Sequence, residues 1–174
     1  GLVRGLVARG GRMQAEAHDV QRGVLDLFLG RLEDGLVQID LSEPRAPRLL
    51  GAIDTPGEAT GVAVRGRIAL VADGESGLRL LDLDAEREVA FVDTPGYAWD
   101  VVHDGRLAYV SDRQGGLRVV DLDAEGGPSE VGQVLYGEAD VLDVALAGDL
   151  AWLCSGPSGL RSIDVSDPTA PRPV

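Results

Sequence analysis

Lysine and asparagine are absent from this 174-residue chain, and all 16 basic residues are arginine. There is one cysteine, one methionine, two histidines and only 4% aromatic residues. With a single Cys, no intrachain disulfide can form. Cys154 lies in the apolar run AWLCSG, where an inert buried thiol is expected. Two histidines and one cysteine fit no zinc-ligand spacing. No apolar run is long enough to span a membrane as a helix. Positive charge is scarce too: 29 acidic residues give a formal net charge of −13, which repels phosphate backbones and argues against nucleic-acid binding. The chain opens GLVRGLVARGG without Met, which leaves a processed or excised start open.

Glycine (24) and proline (9) are plentiful, and apolar residues reach 44%. Short strands cut by turns suit that composition better than long helices. One phrase recurs: GLVQIDLS at Gly35–Ser42, GLRLLDLD at Gly77–Asp84, GLRVVDLD at Gly116–Asp123 and GLRSIDVS at Gly159–Ser166, at intervals of 42, 39 and 43 residues. Repeats of that period mark a stacked or radial architecture. Each unit holds four short apolar runs, such as GVAVRG, IALVAD, GLRLLDLD and REVAFVDTPG in the second. None shows sustained helical periodicity.

The expected fold is therefore all-β: one domain, a small β-propeller of four blades, each of four antiparallel strands. The blades fall at about 15–56, 57–96, 97–137, and 138–174 plus 1–10. The last unit breaks off at PTAPRPV and lacks an outer strand, while Gly1–Ala8 (GLVRGLVA) is an unclaimed apolar run. Pairing that run beside Gly159–Asp164 would close the last blade and leave no open sheet edge. Two alternatives stand beside this closed monomer: a piece of a longer propeller, and two copies joined as a homodimer into an eight-bladed ring.

The phrases GLRLLDLD and GLRVVDLD resemble the LVIVD-repeat family. The likeness extends to Ala98–Val101, Ala108–Asp112, Asp164–Pro168 and the Asp-Thr-Pro-Gly runs Asp54–Gly57 and Asp93–Gly96. The resemblance implies a β-propeller, often in exported or cell-surface bacterial proteins, and no shared catalytic residues.

Candidate site residues are the inner-strand carboxylates Asp19, Asp100 and Asp143, which a ring would gather at one channel mouth; the second unit carries Gly61 at that point. Together they would suit a hard divalent cation such as Ca²⁺. Capping of backbone N–H groups explains repeated aspartates equally well. Tyr97 and Trp99 precede Asp100 and would line the same mouth, with His103 close by in HDG. Trp152 reads as core between blades. Asp40, Asp82, Asp121 and Asp164 end every third strand as turn acceptors. No nucleophile elbow, phosphate loop or dinucleotide fingerprint is present. The function that follows is a non-enzymatic scaffold binding a protein or small ligand without a cofactor. The rivals are a cation-dependent or channel-site enzyme using the three aspartates, and a self-assembling ring fragment.

Overall fold

The computed structural model describes residues 15–18, 26–31, 35–43, 45–135 and 140–174. They form four antiparallel sheets, each built from consecutive strands in chain order. The first comprises β1 (Ala15–His18), β2 (Asp26–Arg31), β3 (Gly35–Asp40) and β4 (Arg48–Ile53). The second comprises β5 (Gly61–Arg65), β6 (Ile68–Ala72), β7 (Leu78–Asp82) and β8 (Arg87–Val92). The third holds β9 (Asp100–His103), β10 (Leu107–Ser111), β11 (Leu117–Asp121) and β12 (Ser129–Val134). The fourth holds β13 (Asp143–Ala147), β14 (Leu150–Cys154), β15 (Leu160–Asp164) and β16 (Arg172–Pro173).

The strands are short because turn chemistry cuts them on schedule. At the end of each third strand an aspartate accepts from the backbone two residues on: Asp40 from Ser42, Asp82 from Asp84, Asp121 from Asp123 and Asp164 from Ser166, at 2.7–3.0 Å. The Ser166 hydroxyl, then its amide, then Arg172 hold the Asp164 carboxyl at about 2. The turn-acceptor role read from the sequence is the one these residues have. Beyond each turn the outer strands β4, β8 and β12 pair back with a register shift at the same point. This is a β-bulge, which twists an edge away from further pairing.

Sheets pack on sheets through alternate residues. Leu36 of β3 joins Val62, Val64, Val71 and Leu81 between the first and second sheets. Leu78 and Leu80 meet Val101, Val110 and Val120 between the second and third. Leu117 and Val119 meet Val144, Leu153 and Ile163 between the third and fourth. The innermost strands follow the same series, β1 against β5, β5 against β9, and β9 against β13. Among the described residues no buried cluster joins the fourth sheet to the first.

Three sequence expectations change here. The fourth sheet has an outer strand of its own: β16 pairs Arg172 with Asp164 and Pro173 with Ile163, and the Val174 N–H donates to the Ser162 carbonyl at 3.0 Å. Among the described residues no outer strand pairs with the Gly159–Leu160 end of β15. The run Gly1–Ala8 lies outside the described residues. Trp152 and Cys154, read as buried, are exposed, because they lie on the face of the fourth sheet that no described sheet covers.

Candidate functional site

The entries to the inner strands lie side by side at one end of the sheets. A backbone bridge ties Gly74, in the turn after β6, to Ala98 ahead of β9; its counterpart ties Arg113, after β10, to Val141 ahead of β13. The Thr60 hydroxyl donates to the carbonyls of Ala72 (3.1 Å) and Ala98 (3.0 Å), stitching the second sheet to the third. Residues 58–61, 97–100 and 140–143 thus form one rim.

Two carboxylates meet on it. Asp100 and Asp143 begin β9 and β13, and their side chains share a hydrogen bond, so one carboxyl keeps its proton to donate. Asp100 is buried while Asp143 is exposed. Burial first, and the neighbouring Asp143 second, raise the Asp100 carboxyl to about 7, although it also accepts from the Val101 and Val144 amides. The gap at Gly61 has a steric cause. A Cβ there would lie 2.8 Å from both the Cα and Oδ1 of Asp100, so β9 takes the space a third side chain would need.

Beside the pair sits an aromatic and cationic cluster. Tyr97 and Trp99 rings lie 5.9 Å apart at 44°, and the Arg113 guanidinium stands 5.5 Å from each ring centroid. Arg113 also donates to Asp140 at 3.0 Å, and the Tyr97 hydroxyl donates to Glu58. Burial chiefly, and Glu58 next, push the Tyr97 phenol up well beyond the usual tyrosine range. Arg113 adopts φ of 46°, in the left-handed region where the equivalent turns carry Gly74 and Gly156. A non-glycine residue held there is uncommon.

Below the rim, buried latches bind each sheet to the connection entering it. The Thr55 hydroxyl donates to Asp73 at 2.6 Å and the Gly57 amide at 2.8 Å. Thr94 and Gly96 do the same to Asp112 at 2.6 and 2.9 Å. Arg79 and Arg118 stand behind these carboxylates at 4.0 and 3.6 Å. Both aspartates are fully buried, and desolvation raises their carboxyls despite those donors.

The sequence-read site is thus divided. Tyr97, Trp99, Asp100 and Asp143 come together. His103 does not: it ends β9, three residues (~10 Å) along the strand from Asp100. There Nδ1 accepts from the Gly105 amide at 3.0 Å, which leaves Nε2 to donate to the Val64 carbonyl at 3.1 Å. Asp19 lies outside the described residues. The pairing of Ala15 with Leu29 and Leu29 with Val37 matches that of Val62 with Val71 and Val71 with Arg79. Among the described residues, Ala15 therefore stands where Val62, Val101 and Val144 do. Among the described residues no three His, Cys, Asp or Glu side chains converge as metal ligands. Arg113, Glu58, Asp140 and the latches were missed; the signal for Arg113 was an arginine where its repeats carry glycine.

The family model for the LVIVD repeat matches residues 56–84, 95–135 and 138–173. No curated protein matches the chain. Among solved structures, the computationally designed Ika4 protein aligns with a TM-score of 0.66 at 9% identity, over 90% of this chain and 94% of its own. The β-propeller domain of Cps50 (Swd1) from Myceliophteria thermophila aligns at 0.70 and 13%, over 92% of this chain and 58% of its own. A chain of the Mitotic Checkpoint Complex aligns at 0.66 and 12%, over 79% of this chain and 44% of its own. At such identities the likeness is one of fold.

Proposed function

Because this chain belongs to the LVIVD-repeat family, we propose that it is a non-catalytic β-propeller scaffold whose rim binds a protein or small ligand through cationic groups. The observation that carries this reading is the cluster of Tyr97, Trp99 and Arg113 beside Glu58, Asp140 and Asp143. Aromatic rings and carboxylates are what a guanidinium or ammonium group seeks. Arg113 already occupies that setting from within, and a ligand cation would compete with it. The net charge of −13 adds long-range attraction for such a partner.

The test uses hexa-arginine as probe and hexa-glutamate as control. In a Trp152→Phe background Trp99 is the remaining Trp and reports on the rim by its emission. A saturable shift with the basic peptide, weakened by salt and lost in Tyr97→Ala, supports the reading. No shift, or the same shift with both peptides, removes it.

We also propose that Gly1–Ala8 pairs along the Gly159–Leu160 end of β15. A Cβ on Gly35, Gly77 or Gly116 would lie 2.0–2.5 Å from an outer-strand carbonyl, whereas one on Gly159 meets nothing within 4 Å among the described residues. Leu160 is 63% exposed where Leu36, Leu78 and Leu117 are buried. Deleting residues 1–8 should then lower Tm and expose the β15 amides to hydrogen exchange; unchanged exchange argues against the pairing.

A further inference from the structure

The turns after β6, β10 and β14 are built alike: Gly77, Gly116 and Gly159 donate their amides to the carbonyls of Gly74, Arg113 and Gly156 at 3.0–3.1 Å. The accepting residue has φ of 60°, 46° and 51° in turn. Two of the three turns therefore fill the left-handed position with glycine, and one holds an arginine there. The turn has no use for the Arg113 side chain, which serves the rim instead. Its guanidinium stands 5.5 Å from the Tyr97 and Trp99 ring centroids, and its Nε and Nη2 both donate to Asp140 Oδ2, at 3.3 and 3.0 Å. The cage around it has supports of its own. The Tyr97 hydroxyl is tied to Glu58, and its ring lies against Gly74, where a Cβ would come 2.9 Å from Cζ. The Trp99 amide donates to the Ser111 carbonyl at 2.7 Å. Asp140 precedes Val141, whose backbone bridge to Arg113 needs no side chain.

We propose that Arg113 is an internal stand-in for the rim's ligand: the site takes an arginine side chain of a partner protein, which binds by displacing Arg113 and is selected over lysine. This rests on the rim-binding reading and names the group that binds. The ground for arginine is the fit that the site already shows. A guanidinium is planar and weakly hydrated, so it lies against aromatic rings while N–H groups on its edge reach a carboxylate. An ammonium is a compact, strongly hydrated point charge; it satisfies the carboxylate but sheds its water less readily for the rings. The ground for displacement is exposure. The Arg113 side chain is 34% exposed and that of Asp140 29%, so their ion pair parts without opening a core. The Arg113 amide and carbonyl are held by Val141 at 3.1 Å each way, which keeps the turn in place while the side chain swings out.

The test titrates Trp99 emission, in the Trp152→Phe background, with hexa-arginine and hexa-lysine, two probes of equal charge. Arg113→Gly gives the turn the residue its repeats carry. It should bind hexa-arginine about tenfold or more tightly than the parent chain, because the site no longer holds its own cation, and should widen the preference over hexa-lysine. Arg67→Gln removes one exposed positive charge at the opposite end of the sheets and should leave both affinities within about twofold. Should Arg113→Gly fail to fold, Arg113→Asn serves instead, since Asn tolerates the left-handed region. Unchanged or weaker binding by Arg113→Gly overturns the proposal and makes Arg113 part of the binding surface, with the rim-binding reading intact. Equal tightening for both peptides, or the same gain from Arg67→Gln, overturns it too, because charge alone then decides. No emission shift in the parent or in either variant removes the rim-binding reading itself.

Discussion

The connection entering the third sheet and the one entering the fourth do the same topological task with different chemistry. The former ends in Asp-Thr-Pro-Gly, and its Thr94 hydroxyl and Gly96 amide converge on Asp112, with Arg118 behind. The latter follows β12 with Leu135 exposed, and the residue in the place of Asp112 is Ser155. Cys154 pairs with Leu160 as Ser111 pairs with Leu117, which fixes that equivalence. The acceptor and the Thr-Pro-Gly that supplies its donors are present together at the entrances to the second and third sheets and absent together at the fourth. The latch therefore behaves as one unit: a buried carboxylate is tolerable only with its full set of donors and a cation nearby.

The largest break in this comparison comes from Asp112→Ala. It leaves the Thr94 hydroxyl and the Gly96 amide without their acceptor and takes away the buried carboxylate 3.6 Å from Arg118, which keeps Glu130; loss of one member of such a buried pair costs about 3–5 kcal/mol. Denaturant melts should show it directly. Asp73→Ala should behave alike at the other latched entrance.

Next comes a pair of glycines with the same backbone and different neighbours. Gly116 and Gly159 have φ of 81° and 78°, but a Cβ on Gly116 would lie 2.0 Å from the Val134 carbonyl oxygen while one on Gly159 meets nothing among the described residues. In a chain lacking residues 1–8, Gly159→Ala should cost only the penalty of its backbone conformation, φ 78° and ψ −150°, about 1–3 kcal/mol. Gly116→Ala adds displacement of the outer strand and should cost about 3 kcal/mol or more. In the full chain the proposed Gly1–Ala8 pairing should raise the cost of Gly159→Ala toward that of Gly116→Ala; a cost unchanged by deleting residues 1–8 argues against the pairing.

The pH dependence is a smaller and broader effect. The Asp100 carboxyl titrates near 7 when folded against 3.8 ordinarily. Between those values the folded chain holds a proton that the unfolded chain has released, so stability falls as pH rises through the window. Asp73 and Asp112 shift in the same direction. Tm should therefore peak near pH 4–5 and decline toward pH 8, with Asp100 contributing on the order of 2 kcal/mol. Asp100→Asn should flatten that decline. Below about pH 4 the opposite sign takes over, because Asp40, Asp82, Asp121 and Asp164 have lowered carboxyls and lose their bonds on protonation.

Much of this was legible in the repeats. The recurring Gly-Leu and Asp placed β3, β7, β11 and β15, and the alternation around them placed the neighbouring strands. Position along a strand was harder. His18-Asp19-Val20 looks like Trp99-Asp100-Val101, yet His18 closes β1 while Asp100 opens β9. A two-residue period specifies the face of a strand and says nothing about which end of it a tripeptide occupies. Trp152 and Cys154 failed differently: composition records that a face is built for burial, and only the assembled chain shows whether anything lies against it. The latch was visible only as paired motifs, since nothing local in Thr94 or Asp112 shows that they meet.

The smallest effect is the sharpest test of the latch, and it should carry the opposite sign. Ser155 is buried, and among the described residues its hydroxyl has no partner. Its amide and carbonyl are satisfied within the turn to Gly159 and Ser158, so the side chain alone is orphaned. Replacing a hydroxyl in that state by a methyl hydrogen removes a desolvation penalty and leaves almost no cavity. Ser155→Ala should thus raise stability by about 0.5–1 kcal/mol, a Tm gain of about 2 °C for a chain of this length. The residue in the same place two repeats earlier, Asp73, is one whose loss should be among the most damaging. A drop in Tm for Ser155→Ala would mean that the fourth entrance has a donor of its own for this hydroxyl, and the contrast between latched and unlatched entrances would fail.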